Sequence, residues 1–239
     1  MRSSRLPGKV IALLGGRPAL ARLIQRLQRA ERLDGIVVAT TTNPSDDVLE
    51  DLAATAGVAC FRGSEDDVLD RVLKAAQGAG ADVIVEMTGD CPLIDPAIVT
   101  NVLEVYMSDD RLDYVTNGLA DTYPRGMDVQ VFSTRILDEV ARVAHRPEDR
   151  EHVSLHIYEH PDRYVVRDVP GDLAPRHRNV RLTLDTPEDL ALIRAVFDEL
   201  HPANPAFSLD DILALLDRQP DLLKLNRHVV QRMPGGVTS

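Results

Sequence analysis

Arg5, Lys9, Asp90 and Asp185 are the side chains of this sequence best placed for chemistry, each in a stretch built from turn residues. In Ser4-Arg5-Leu6-Pro7-Gly8-Lys9 a Pro-Gly turn is flanked by two cations. Glycine lets backbone N–H groups approach an anion, and Arg and Lys add charge-assisted hydrogen bonds to phosphate oxygens. The stretch is no Walker loop, lacking Gly-Lys-Ser/Thr after a strand, and on spacing alone it reads first as a surface turn. Thr88-Gly89-Asp90-Cys91-Pro92-Leu93-Ile94-Asp95 directly follows an apolar, β-branched run. Asp90 is held there on a rigid turn, as a carboxylate for a hard divalent cation would be. Asp95, just ahead of Pro96, reads as a helix cap. In Leu184-Asp185-Thr186-Pro187-Glu188-Asp189-Leu190, capping accounts for Thr186, Pro187, Glu188 and Asp189. It leaves Asp185 over as a second carboxylate that can complete a metal site. Tyr123-Pro124-Arg125-Gly126-Met127-Asp128 and Arg150-Glu151-His152 are polar groups able to read a polar acceptor. Lone histidines are more often structural, and His145, His160 and His177 are given no role.

Strands and helices alternate around these stretches. Residues 35–40, 58–61 and 82–87 read as buried strands, and 45–57, 66–79 and 96–107 as the helices between them. Beyond them, 113–117, 127–132, 164–169 and 180–184 are strand-like, whereas 134–144, 148–159, 187–200 and 208–217 are helical. Apolar strands with helices between them predict an α/β fold with a mostly parallel, doubly wound sheet. Such sheets bind ligands at the carboxyl ends of their strands, where Asp90 and Asp185 fall. Residues 1–239 read as a single domain, with a β-containing excursion at 118–175.

Of 239 residues, 44% are hydrophobic and 27% charged, an ordinary globular composition. Two cysteines make neither a disulfide scaffold nor a metal cluster. No run approaches the ~18 apolar residues of a membrane span, and no secretory leader is visible, so a cytoplasmic protein is expected. The net charge is −11, but residues 1–33 hold eight Lys and Arg against Glu31 alone. An acidic protein is a poor ligand for nucleic acid, yet its basic head can hold a small polyanion such as a nucleotide. Most of the arginines at 17–32 read as a solvated helix face.

Taken together, the motifs resemble the cytidylyltransferases that activate acidic sugars as CMP derivatives, in particular the branch named for a spore coat polysaccharide biosynthesis protein. The matching stretches are 2–9, Arg62-Gly63-Ser64-Glu65-Asp66-Asp67-Val68-Leu69-Asp70-Arg71, 88–95, 123–128, Arg150-Glu151-His152-Val153 and 184–190, in family order. The resemblance implies a glycosyltransferase-A-like nucleotidyltransferase fold and Mg²⁺-dependent transfer of CMP from CTP to an acidic sugar or polyol, with pyrophosphate released. It implies catalytic roles for Arg5 and Lys9, and nucleotide contacts from Ser4, Arg5, Gly8, Lys9, Gly63, Ser64 and Arg71. Asp90 and Asp185 would ligate the metal, Tyr123, Asp128, Arg150 and His152 would face the acceptor, and the excursion would support a homodimer. A nucleotide-sugar glycosyltransferase of related fold and a non-catalytic nucleotide-binding homologue are the alternatives. The family's first buried strand has no counterpart before residue 2, and the functional chain is therefore expected to begin upstream of Met1.

Overall fold

The structure, a computed structural model, describes residue 3 and residues 5–230. A 3₁₀ turn at Lys9–Ile11 leads into a hairpin of β1 (Leu13–Leu14) and β2 (Arg17–Pro18), turned by Gly15 and Gly16 at positive φ. Then come α1 (Ala19–Leu27), β3 (Val37–Thr41), α2 (Asp47–Ala56), β4 (Ala59–Gly63), α3 (Val68–Ala79), β5 (Val83–Glu86) and α4 (Pro96–Met107). The middle holds β6 (Tyr114–Thr116), β7 (Gln130–Ser133), α5 (Thr134–Val143), α6 (Pro147–Glu151), α7 (Leu155–Tyr158), β8 (Val166–Asp168) and α8 (Pro175–Arg178). The chain closes with α9 (Pro187–Leu200), α10 (Leu209–Arg218) and a 3₁₀ segment at Pro220–Leu225.

Local chemistry sets the helix ends. Asp67 accepts from the Asp70 N–H (2.9 Å) to cap α3, and Gly80, in the left-handed region, ends it. Asp95 caps α4 through the Ala97 N–H (2.9 Å) and also accepts from the Leu209 N–H (2.6 Å), tying α4 to the start of α10. Thr186 with Asp189, and Ser208 with Asp211, form reciprocal capping boxes.

The α/β class holds, but strand directions are mixed where a mostly parallel sheet was expected. β3 and β4 pair in parallel. The larger sheet has the order β5-β7-β6-β8, with β7 antiparallel to both neighbours and β8 parallel to β6. β7 is therefore an integral strand, although it comes from the stretch expected to be an excursion. Among the described residues the β3–β4 pair shares no ladder bonds with the larger sheet. Among the described residues the expected strand at 180–184 makes one parallel bridge, Arg125 to Arg181. The expected helix at 148–159 breaks after Glu151, where His152 leaves the helical region. Val153, Ser154, Leu155 and Ile157 are all buried, more than one helical stripe covers.

A large apolar cluster joins α1, α4, α9 and α10 through Ile24, Val99, Phe197 and Ile212, and includes Phe207, Leu182 and Leu184. A second cluster packs α3 and α5 around Tyr114, Phe132 and Leu137. Two arginines of the basic head belong to this interior rather than to the solvated face expected for most of them. Arg22 donates to the Leu14 and Gly15 carbonyls (2.9 and 2.5 Å). Arg26 donates to the Ile94 and Phe207 carbonyls (2.5 and 2.9 Å) over the Phe207 ring, and burial pulls its pKa down to about 10.

Gly126 approaches the Leu182–Thr183 main chain closely. Its φ is 98°, and a Cβ there would lie 2.7 Å from the carbonyl carbon of Leu182. Gly126→Ala combines left-handed strain with a clash against main chain, each costing about 1–3 kcal/mol. Denaturant melts should therefore show a loss of at least ~2 kcal/mol; an unchanged midpoint would refute the close approach.

Candidate functional site

The Pro7-Gly8 turn converges with Asp90, which follows β5, and Asp185, which precedes α9. Gly8 takes the left-handed conformation (φ 70°), and the 3₁₀ turn that follows aims Lys9 inward. Lys9 Nζ donates to Asp90 Oδ2 at 2.7 Å and to Asp185 Oδ1 at 2.8 Å, so one ammonium lies between two carboxylates. Arg5 Nη2 stands 3.0 Å from Asp185 Oδ2. The two acids are clipped together by main chain, because the Leu184 N–H donates to the Asp90 carbonyl (2.8 Å). The Thr183 hydroxyl donates to the same carbonyl (3.3 Å), and the Thr88 hydroxyl to Asp90 Oδ1 (2.5 Å).

Charge governs this cluster. Burial works against the Lys9 ammonium, yet the Asp90 charge and the hydrogen bonds to Asp185 and Asp90 outweigh it and raise its pKa. Burial also works against the Asp185 carboxylate, and Lys9, Arg5 and Arg181 together hold its pKa below the ordinary value. Glu86, at the end of β5, is pushed up to about 7 by loss of water around its carboxyl and by the Asp90 charge. Gln130 donates to Glu86 Oε2 (2.9 Å) and accepts from the Tyr114 hydroxyl (2.8 Å) and from Ser154.

The other expected residues divide. Ser4 lies outside the described residues. Gly63 is packed beneath Arg71, where a Cβ would meet the Arg71 chain at 2.9 Å. Arg71 donates to the Ser64 carbonyl, which closes the β4–α3 turn, and its Nε is buried without a hydrogen-bond partner. Tyr123 and Asp128 flank the Arg125-Gly126 step, whose main chain meets the 180–183 segment. Asp128 accepts from the Gly126 N–H (3.1 Å), and burial raises its pKa. Tyr123 covers Gly171, leaving no room for a side chain there.

Arg150 is spent elsewhere. It makes a two-pronged bond to Asp67 (3.0 and 2.6 Å) and donates to the Ala141 carbonyl (3.1 Å), bracing α6 against the start of α3. His152 ends α6, partly buried, beside the second apolar cluster. Neither makes a hydrogen bond to the Lys9 cluster among the described residues.

Sequence reasoning missed Arg181, Asn226 and the second role of Asp189. Arg181 Nη2 donates to Asp185 Oδ2 (2.7 Å), and its Nε donates to Asp189 Oδ1 (2.9 Å). The spacing Arg181-x₃-Asp185-x₃-Asp189 was a usable signal; Asn226 left none.

The donor set suits a hard cation. Two carboxylate oxygens already share one positive charge, and Mg²⁺ commonly takes one or two carboxylates, with water and substrate phosphate completing its shell. No cluster of three or more His, Cys, Asp or Glu is spaced to hold a metal among the described residues. Within them no helix is long and apolar enough to cross a membrane.

Comparison with known proteins gives a consistent picture. The cytidylyltransferase family model matches residues 1–220. The spore coat polysaccharide biosynthesis protein SpsF of Bacillus subtilis is 33% identical over 227 residues, 92% of each chain. A solved cytidylyltransferase from Leptospira borgpetersenii superposes with a TM-score of 0.88 at 31% identity, covering 93% of this chain and 92% of that one. A CMP:2-keto-3-deoxy-manno-octonic acid synthetase complexed with CTP shares the fold at a TM-score of 0.61 and 19% identity, over 82% of this chain and 94% of that one.

Proposed function

Since the chain belongs to the cytidylyltransferase family, we propose that it transfers CMP from CTP to an acidic sugar or related polyol, with release of pyrophosphate, in surface polysaccharide biosynthesis. The observation that carries this reading is the Lys9 ammonium held between Asp90 and Asp185 beside Arg5. Two cations suited to phosphate oxygens and two carboxylates suited to a divalent ion stand together there, which supports the reading.

An acceptor oxygen attacks the α-phosphorus of CTP, and the bond to the bridging oxygen of the departing pyrophosphate breaks. Charge gathers on phosphoryl oxygens, so fixed cations and positioning do the catalysis and no covalent nucleophile is required. Arg5 and Lys9 bind the triphosphate, and the left-handed Gly8 makes the turn that carries Lys9. Mg²⁺ held by Asp90 and Asp185 would neutralise charge on the reacting phosphates. Tyr123, which covers Gly171, and Asp128, which accepts from the Gly126 N–H, supply the acceptor side. The proposal includes a homodimer built on the 118–175 region, where Leu119, Val143 and Val165 are exposed apolar side chains.

The test is pyrophosphate release from each of CTP, UTP, GTP and ATP over a panel of acidic-sugar and polyol acceptors. CTP is expected to exceed the others by at least ~10-fold, about 1.4 kcal/mol of transition-state discrimination. Faster turnover of UTP or ATP with the same acceptor would overturn the cytidylyl assignment.

A further inference from the structure

The Asp185 carboxylate is held on two sides by cations of different kinds. Arg5 and Lys9 are partly exposed, at 24% and 18% of their side-chain surface, and flank the Pro7-Gly8 turn. Arg181 is different: its side chain is 8% exposed, and it grips Asp185 Oδ2 from within the protein. The other face of its guanidinium is committed to Asp189, through Nε to Oδ1 (2.9 Å) and Nη2 to Oδ2 (3.1 Å).

Asp189 is fully buried and carries three further bonds. Its Oδ2 accepts from the Asp185 and Thr186 N–H groups (both 3.0 Å), which fixes the main chain of the residue it serves. Its Oδ1 accepts from Asn226 Nδ2 (2.9 Å). The same Asn226 nitrogen donates to the Arg181 carbonyl (3.0 Å), so one buried amide joins the backbone of Arg181 to the carboxylate that orients its side chain. Asn226 lies beyond residue 220, where the family match ends. It follows the 3₁₀ segment at Pro220–Leu225, whose Leu222 and Leu223 pack on the main core.

We propose that Arg181, Asp189 and Asn226 form a positioning frame that fixes the Asp185 carboxylate for a divalent cation, with Oδ2 held by Arg181 and Oδ1 presented to the metal. The inference rests on the metal reading of Asp90 and Asp185 given above. Oδ1 is the oxygen that shares the Lys9 ammonium with Asp90, so it points to the place the two acids have in common. A carboxylate free to rotate would present its oxygens at random and bind a small, geometrically demanding cation less well. The segment around Asn226 becomes part of the catalytic centre, although it touches no reacting atom.

The experiment measures Mn²⁺ binding by electron paramagnetic resonance, with CTP present, for the unsubstituted protein, Arg181→Lys and Asn226→Ala. Arg181→Lys keeps a cation but cannot fork between Asp185 and Asp189. It is expected to weaken Mn²⁺ binding at least ~10-fold, the range typical of partners that orient metal ligands. Asn226→Ala leaves the Arg181–Asp189 pair in place and should weaken binding less, by about 3-fold. In both, the Mg²⁺ concentration for half-maximal turnover should rise in step with the Mn²⁺ dissociation constant, and excess Mg²⁺ should restore turnover. If Arg181→Lys does not fold by circular dichroism, Asn226→Ala decides the matter. Unaltered Mn²⁺ affinity in folded variants overturns the frame alone, as does a turnover loss that excess metal does not repair. Absence of Mn²⁺ binding by the unsubstituted protein overturns the metal reading and the frame with it.

Discussion

Asp185→Asn should lower turnover by about 10³-fold, roughly 4 kcal/mol of transition-state stabilisation, while the protein remains folded. The amide keeps the shape of the carboxylate but removes the charge that Arg5, Lys9 and Arg181 share. Its Nδ2 would face one of those cations with a donor, which costs the pocket its common counter-ion. The fold persists because Arg181 retains Asp189, and Asp189 retains its bonds to the Asp185 and Thr186 main chain. Asp90→Asn should act in the same direction, since its carbonyl clip to Leu184 is made by main chain and survives the change. The measurement is the initial rate of pyrophosphate release against Mg²⁺ concentration, paired with a thermal melt. Full turnover with ordinary metal dependence in either variant would remove that acid from the metal site.

Lys9→Met should move two observables in opposite directions. Turnover should drop at least ~10²-fold, because the triphosphate loses a fixed cation. Metal binding in the absence of nucleotide should become tighter, by at least ~10-fold, because the ammonium that spans Asp90 Oδ2 and Asp185 Oδ1 is gone. The two carboxylates then face each other with Arg5 and Arg181 on one flank only, and a divalent ion relieves their repulsion. The same linkage gives a stability readout. Mg²⁺ at 100 times its dissociation constant stabilises a single-site protein by about 2.7 kcal/mol, so the variant should melt higher with Mg²⁺ while the unsubstituted protein responds less. Equal metal affinity in the two proteins would show that Lys9 does not compete for the place between the acids.

The core of this centre was legible in the sequence, and the reason is chemical. Arg5, Lys9, Asp90 and Asp185 stand in stretches where turn residues leave a charged side chain without a capping job, and strand ends are where α/β sheets bind ligands. Helix ends were legible for the same reason: Asp95, Thr186 and Pro187 do what their positions require. What escaped depends on contacts distant in sequence. Nothing local distinguishes Arg22 and Arg26 from solvated arginines of the same helix. They are buried because the carbonyls of Leu14, Ile94 and Phe207 come to meet them. Arg150 looked like an acceptor ligand because Arg and His together at a helix resemble a binding cluster, and only tertiary packing reveals Asp67 opposite it. Strand direction was misjudged where β7 enters the sheet, because an apolar run gives the same periodicity whichever way its neighbour runs. Asn226 follows a short 3₁₀ segment with no motif around it, and its amide matters only once Arg181 and Asp189 are in place.

The pairing of β5 with β7 bears on how such a chain matures during synthesis. β5 ends at Glu86, but the strand that hydrogen-bonds to it spans Gln130–Ser133, and β6 reaches β5 only through that strand. A nascent chain that has just released Asp90 therefore lacks the partner strand that would anchor the turn bearing it. The ion pairs of Lys9 span 81 residues to Asp90 and 176 to Asp185, and the Asn226 bond reaches back 37 residues to Asp189. Loops of that length close slowly, after local helices have formed. The Lys9–Asp90–Asp185 cluster therefore depends on long-range closure, and the Asn226 bonds to Arg181 and Asp189 bring the segment after Leu225 into the same network. An incomplete chain, cut short by premature termination or proteolysis before residue 226, would carry Asp90 and Asp185 without the amide that ties the Arg181 main chain to the Asp189 carboxylate.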